Sequence, residues 1–166
     1  MRRIFVPALL VALASAVGAA QTDPLSPLRF LVGEWQAIDT PPGETGSFTF
    51  KPAVQDRIIV RTNEAHYAAT KERPASRHDD LLVIYVENGS IKADYFDSEN
   101  HVIRYAVQAP RSNHAVFVSD PSPGEPRYRL SYTAGADGIL LGAFEIAQPG
   151  TPDTFKPYLS WKARKR

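Results

Sequence analysis

The stretch Leu81-Leu82-Val83-Ile84-Tyr85-Val86-Glu87-Asn88-Gly89-Ser90-Ile91-Lys92-Ala93-Asp94-Tyr95-Phe96 decides the fold. Its first six residues form a nearly unbroken apolar run, the mark of a well-buried strand. Asn88-Gly89 follows, the pair that most readily takes up two successive left-handed backbone positions and so signals a tight hairpin. Beyond it Ile91, Ala93 and Tyr95 share one face by period two, while Lys92 and Asp94 take the other. Two strands joined by a two-residue turn run antiparallel.

The same grammar extends in both directions. Upstream lie Leu31–Ile38, a Pro41-Pro42-Gly43 turn, Gly46–Lys51 with Phe48 and Phe50 flanking Thr49, and Arg57–Tyr67 with its β-branched residues. A polar break spans Lys71–Asp80. Downstream come the polar turn Asp97–Asn100, then His101–Val107, His114–Val118 and Tyr128–Thr133. An Asp137-Gly138 turn, Ile139–Ala147 and Tyr158–Ala163 complete the set. This makes about ten strands with hairpin-length connections and no crossover helix, hence an all-β antiparallel meander. A long meander with free ends exposes two unpaired edges, and closure into an up-and-down barrel removes them. A two-sheet sandwich is the competing arrangement. Before the first strand, Ser26 is placed as N-cap and Pro27 as first residue of a short helical turn.

The chain has 166 residues, 19 basic and 18 acidic, with no cysteine and a single methionine, Met1. That length suits one domain with its own core. Missing cysteine excludes thiolate zinc sites, disulfide frameworks and a cysteine nucleophile. A net charge of +1 lacks the basic field of a nucleic-acid binder. Residues 1–20 read as a secretory signal: Arg2 and Arg3, the apolar run Ile4–Ala14, then small residues up to Ala20. The apolar run is too short to span a bilayer, so no transmembrane segment is expected once the signal is removed. Cleavage after Ala20 leaves a domain of residues 21–166, with 17 basic against 18 acidic side chains. The expected location is periplasmic or secreted.

The opening Phe30-Leu31-Val32-Gly33-Glu34-Trp35 and the closing Trp161-Lys162-Ala163-Arg164 resemble the first and last strands of the calycin superfamily. That superfamily holds the lipocalins, the fatty-acid-binding proteins and the nitrobindin-like barrels. Ala93–Tyr105 is similar to exported bacterial proteins of this lipocalin-like type, whose biochemical role is uncharacterised. The resemblance implies a barrel plugged at one end by the helical turn. It also implies a cation from the last strand packed across Trp35, with Arg164 the match and Lys162 the alternative. Gly33, Trp35 and Arg164 are thus the expected structural signature. Nitrobindin-like barrels bind haem through a histidine near the carboxyl end. Here no histidine follows His114, so no haem or other cofactor is expected. The carboxylate clamp on the final strand of fatty-acid-binding proteins has no match either.

The remaining chemistry is sparse. His78-Asp79-Asp80 and Asp94, Asp97, Glu99, His101 are the acid–histidine clusters. They read as a solvated loop and a solvated turn, so no metal site is assigned. No Gly-x-Ser-x-Gly elbow or phosphate-cradling glycine loop occurs. His66 shares a strand face with Thr62 and Glu64 by period two, a face that lines a polar cavity or meets water. In the first case His66 with a neighbouring carboxylate allows an enzymatic reading. Tyr95, Tyr105 and Tyr132 fall on apolar strand faces and would place hydroxyls in an apolar interior. Arg61 and Arg104 would pair with a ligand carboxylate. The candidate ligand residues are therefore His66, Tyr95, Tyr105, Tyr132, Arg61 and Arg104. The expected partner is a small hydrophobic or amphipathic molecule, with no nucleic acid. The competing readings are an enzyme on the same barrel and a filled, partner-binding envelope protein. Oligomeric state is not legible.

Overall fold

A computed structural model describes residues 23–151 and 153–166. The expected signal and its cleavage point lie outside the described residues. A 3-10 turn, Ser26–Leu31, precedes ten strands. They are β1 Gly33–Ile38, β2 Glu44–Ala53, β3 Ile58–Tyr67, β4 Ser76–Glu87, β5 Ser90–Asp97, β6 Val102–Arg111, β7 His114–Ser119, β8 Arg127–Ala134, β9 Ile139–Ala147 and β10 Lys156–Lys165. Each pairs antiparallel with its sequence neighbours, and β1 pairs with both β2 and β10, so the sheet closes. The barrel is the expected architecture, and the sandwich is excluded.

The deciding hairpin forms as the sequence demands. Asn88 and Gly89 both take positive φ, 49° and 77°, the combination a primed turn requires to match strand twist. Period two then fixes the inside. Phe48 and Phe50 of β2, Ile59 of β3, Leu82 and Ile84 of β4, Tyr105 of β6, Phe117 of β7 and Tyr132 of β8 are all buried. Their rings meet edge to face: Phe50 and Tyr132 at 5.5 Å, Phe117 and Tyr132 at 6.2 Å, Tyr105 and Phe117 at 6.3 Å between centroids. Tyr132 sits at the hub, since Phe48 and Trp161 also pack against it.

The 3-10 turn closes one end. Its Leu28 and Leu31 are fully buried, and the indole N–H of Trp35 donates to the Leu31 carbonyl at 2.7 Å. Ser26 is not its cap. Leu25 holds the cap position without a side-chain bond, and Asp23 Oδ1 accepts the Leu25 amide instead. The opposite end of the barrel carries the β1–β2, β3–β4, β5–β6, β7–β8 and β9–β10 connections.

Two other expectations are corrected. β4 begins at Ser76, inside the segment read as a break. Ser76–Asp80 is polar, so apolar counting misses it, yet its partner on β3 is equally polar and pairs with it. Arg77 joins Glu64 at 2.7 Å and Asp79 at 2.8 Å. The cation over Trp35 is Lys165, whose Nζ lies 5.5 Å from the ring centroid, and not Arg164 or Lys162. Trp35 pairs in register with Lys165, and Arg164 with Gln36. Ala163 is buried, so strand parity sends Lys165 inward and Arg164 outward. Lys165 crosses so close to Gly33, held at φ 139°, that a side chain there would collide with it.

The β2–β3 turn is strained. Val54, Gln55 and Asp56 all have positive φ (51°, 53° and 63°), and Val54 is 68% exposed. A β-branched residue there crowds its own backbone without gaining burial. Val54→Asn should therefore raise stability by roughly 0.5–1 kcal/mol. Denaturant unfolding checks this; a loss of stability would show that the strain is not felt.

Candidate functional site

The inward face is apolar near the 3-10 turn and turns polar toward the opposite end. Along β3 the inward positions read Ile59, Arg61, Asn63; along β4 they read Ile84, Leu82, Asp80, His78. Register sets Arg61 opposite Leu82 and Asn63 opposite Asp80 on β4, with Asp80 opposite Asp97 on β5. Polar side chains from three adjacent strands therefore converge inside the barrel.

Arg61 and Asp80 form the anchor. Arg61 is 5% exposed, and its Nη1 donates to Asp80 Oδ1 at 2.8 Å. Asn63 donates its amide N–H to Asp80 Oδ2 at 2.9 Å. The guanidinium lies 5.5 Å from the Phe48 ring centroid, a cation–π contact away from water. Burial works against the Arg61 charge, but the nearby Tyr132 oxygen and Asp80 carboxylate outweigh it and hold its pKa above the ordinary value.

His78 links this anchor to the rim. Its Nε2 lies 3.4 Å from Asp80 Oδ2 and 3.3 Å from the Tyr95 hydroxyl, and its Nδ1 lies 3.1 Å from Glu99 Oε1. Asp80 and then Glu99 outweigh partial burial and push its pKa up to about 9. The ring is thus an imidazolium at neutral pH, donating from both nitrogens. Tyr95 in turn donates to Asp97 Oδ2 at 3.4 Å. Burial of Asp97 disfavours its charge, but the His101 and Glu99 amides and the His101 ring hold its pKa below the ordinary range.

The raised His78 pKa ties stability to pH. Stability from a raised pKa is fully present below the unfolded value near 6.5 and is lost as pH rises through the folded value of about 9. Unfolding free energy should therefore fall by on the order of 2 kcal/mol between pH 6.5 and 9.5. His78→Gln should flatten that slope. An unchanged slope in the variant would exclude His78 as its source.

Two polar atoms in this region are buried without a partner: Arg61 Nε and the Tyr132 hydroxyl. Tyr132 is fully buried, and burial pushes its pKa up to about 12, the nearby Arg61 charge opposing. Tyr105, also fully enclosed, is pushed up strongly by burial. Burial raises Tyr95 as well, so Tyr95, Tyr105 and Tyr132 remain neutral hydrogen-bonding groups near neutral pH.

Of the six candidate ligand residues, the barrel gathers Arg61, Tyr95, Tyr105 and Tyr132 on its inner side. It turns the other two outward. His66 is half exposed and bonds Glu64 Oε1 at 2.9 Å on the outer face, so the enzymatic reading built on an internal His66 fails. Arg104 is exposed, opposite Asp94 on the outer face of β5 and β6. His78, Asp80 and Asn63 were missed, and His78 and Asp80 are corrected from solvated loop to barrel interior. The signal was available: stepping back by two from buried Ile84 and Leu82 reaches Asp80 and then His78. Asp97–His101 does form the expected turn, its Asp97 Oδ1 accepting the amides of Glu99 and His101, but the Asp97 side chain is almost fully buried.

Among the described residues, His78, Asp97 and Glu99 bring ligand-type atoms within 4.8 Å of one another. These atoms are already engaged, His78 with Glu99 and Asp97 with His101 and two amides. A concavity of about 490 Å³ lies on the outer side of this end, bordered by Gly43, His66, Tyr67, Ala68, Ser76 and Arg77. Tyr128 and Phe144 stack at 5.7 Å between centroids, and Tyr158 meets Phe144 edge-on at 6.1 Å. Tyr158 is 72% exposed. No described helix is long and apolar enough to cross a membrane.

Fold and site together define a closed ten-stranded antiparallel barrel, compatible with the calycin architecture, with a polar cluster set into an aromatic interior. No family model matches the chain, and no curated protein matches it in sequence.

Proposed function

We propose that the chain is an exported calycin-like barrel that holds a small apolar or amphipathic molecule. The molecule's polar end is directed toward the Arg61–Asp80–His78 cluster. The observation that carries this reading is the pair of partnerless buried polar atoms, Arg61 Nε and Tyr132 Oη. Buried polar groups in native proteins are almost always hydrogen-bonded, so an unpaired set marks a place for an occupant. An apolar pocket with a few convergent polar groups is the usual construction of a small-molecule site. The 3-10 plug, Gly33, Trp35 and the Lys165 cation support the calycin-like assignment. Export rests on the amino-terminal pattern of residues 1–20.

The test is titration of the protein with Nile red, a neutral, apolar fluorophore that carries a carbonyl. Saturable enhancement at one probe per chain, weakened by Arg61→Gln in a variant that still folds, is expected. Linear, unsaturable fluorescence would overturn the reading.

A second reading has one observation of its own. Leu81, Phe96 and Val102 pair side by side across the outer faces of β4, β5 and β6, with Phe96 41% and Val102 60% exposed. An apolar stripe on an outer sheet face favours a partner-binding envelope protein. Loss of self-association or of envelope co-sedimentation in Phe96→Lys would support it.

A further inference from the structure

We propose that Arg61 Nε and the Tyr132 hydroxyl together seat one neutral acceptor oxygen, the carbonyl of an apolar ketone, ester or quinone, and not a carboxylate. This rests on the ligand-binding reading and narrows it to a chemical class. Both side chains pack on one ring. The Arg61 guanidinium lies 5.5 Å and the Tyr132 ring 6.3 Å from the centroid of Phe48. Both side chains are buried, and both atoms lack a partner. Arg61 Nε is a donor only, and a tyrosine hydroxyl can donate. A carbonyl oxygen has two lone pairs and accepts from both at once.

Charge decides between a carbonyl and a carboxylate. Arg61 already has its counter-ion, since Asp80 lies 2.8 Å away with a 4% exposed side chain. A ligand carboxylate beside Arg61 would be a second buried anion facing Asp80, a like-charge placement that is costly away from water. A neutral carbonyl satisfies the same donors and adds no charge. Its surroundings are apolar and aromatic, Phe48, Phe50, Phe117 and Trp161 all packing on Tyr132. The rest of the molecule is therefore apolar, and flat rings fit the edge-to-face setting.

The experiment displaces the fluorescent probe with three compounds of equal carbon count: methyl nonyl ketone, undecane and undecanoate. Each is measured on the wild-type chain and on Tyr132→Phe, which keeps the ring and its packing. The ketone should displace at about tenfold lower concentration than the hydrocarbon and the carboxylate, the worth of a buried hydrogen bond. In Tyr132→Phe its advantage over undecane should shrink to what Arg61 Nε alone supplies, while undecane itself is unchanged. Tightest binding of undecanoate would overturn the neutral-oxygen assignment and leave the ligand reading standing. Equal displacement by ketone and hydrocarbon, with no effect of Tyr132→Phe, means that water alone fills the seat and overturns the proposal. If the probe itself never binds, both the proposal and the ligand reading fall.

Discussion

Asp80→Ala should destabilise the barrel by about 3–5 kcal/mol, because it strands a buried cation. Asp80 is the only carboxylate within salt-bridge reach of Arg61 among the described residues. It also accepts the Asn63 amide and faces His78. Removing it leaves the guanidinium, already cut off from water, without a counter-ion, and leaves the Asn63 amide N–H without its acceptor. The size of the loss is the penalty of the orphaned charge and not the net worth of the pair. The account therefore also requires Arg61→Met combined with Asp80→Leu to recover most of the loss, since a well-packed apolar pair in a low-dielectric interior is often as stable as the ions. Asp80→Asn keeps the shape and one acceptor and should fall between. Urea unfolding of the four chains measures this. A single-variant loss below about 1 kcal/mol, the range of exposed pairs, would mean that the pair is solvated.

Trp35→Ala should cost a similar amount, about 3–5 kcal/mol. Trp35 is 5% exposed, stacks at 6.3 Å on Phe48, bonds the 3-10 turn through Leu31 and carries Lys165 over its ring. Its loss opens a void at the seam where β1 meets β10 and releases the plug. Trp35→Phe should cost less, because most of the apolar volume survives and only the Leu31 bond and ring size are lost. Lys165→Ala should cost about 0.5–1 kcal/mol, as a partly exposed cation–π contact does, and Arg164→Ala nothing measurable. A larger loss for Arg164→Ala than for Lys165→Ala, read by thermal unfolding, would contradict the register described for the seam.

That register shows where sequence reasoning stops. The Asn88-Gly89 turn and the alternation of Ile91, Ala93 and Tyr95 are local, and a local signal suffices to state an antiparallel meander and its closure. Choosing Lys165 over Arg164 needs the parity of β10 to be counted from a buried residue, Ala163, whose small size carries no apolar signal. The candidate site divides in the same way. Tyr95, Tyr105 and Tyr132 lie among apolar neighbours of the same parity and were legible as inward. His78 and Asp80 sit in a polar segment that looked like a loop, because hydrophobicity cannot report a strand whose buried face is charged. Their convergence with Arg61 is a product of register between β3 and β4. His66 and Arg104 failed for the complementary reason: a plausible side chain on a strand is as often outside as in.

The central claim is that the polar cluster inside the barrel receives a small molecule. Native mass spectrometry of the full chain, expressed with its own amino terminus and purified without denaturant, tests it most directly. The expected spectrum holds a species heavier than the bare chain by one small-molecule mass, released by organic solvent and restored by methyl nonyl ketone at one equivalent. A spectrum of bare chain alone, unchanged after exposure to the ketone, the hydrocarbon and the carboxylate in excess, would contradict it.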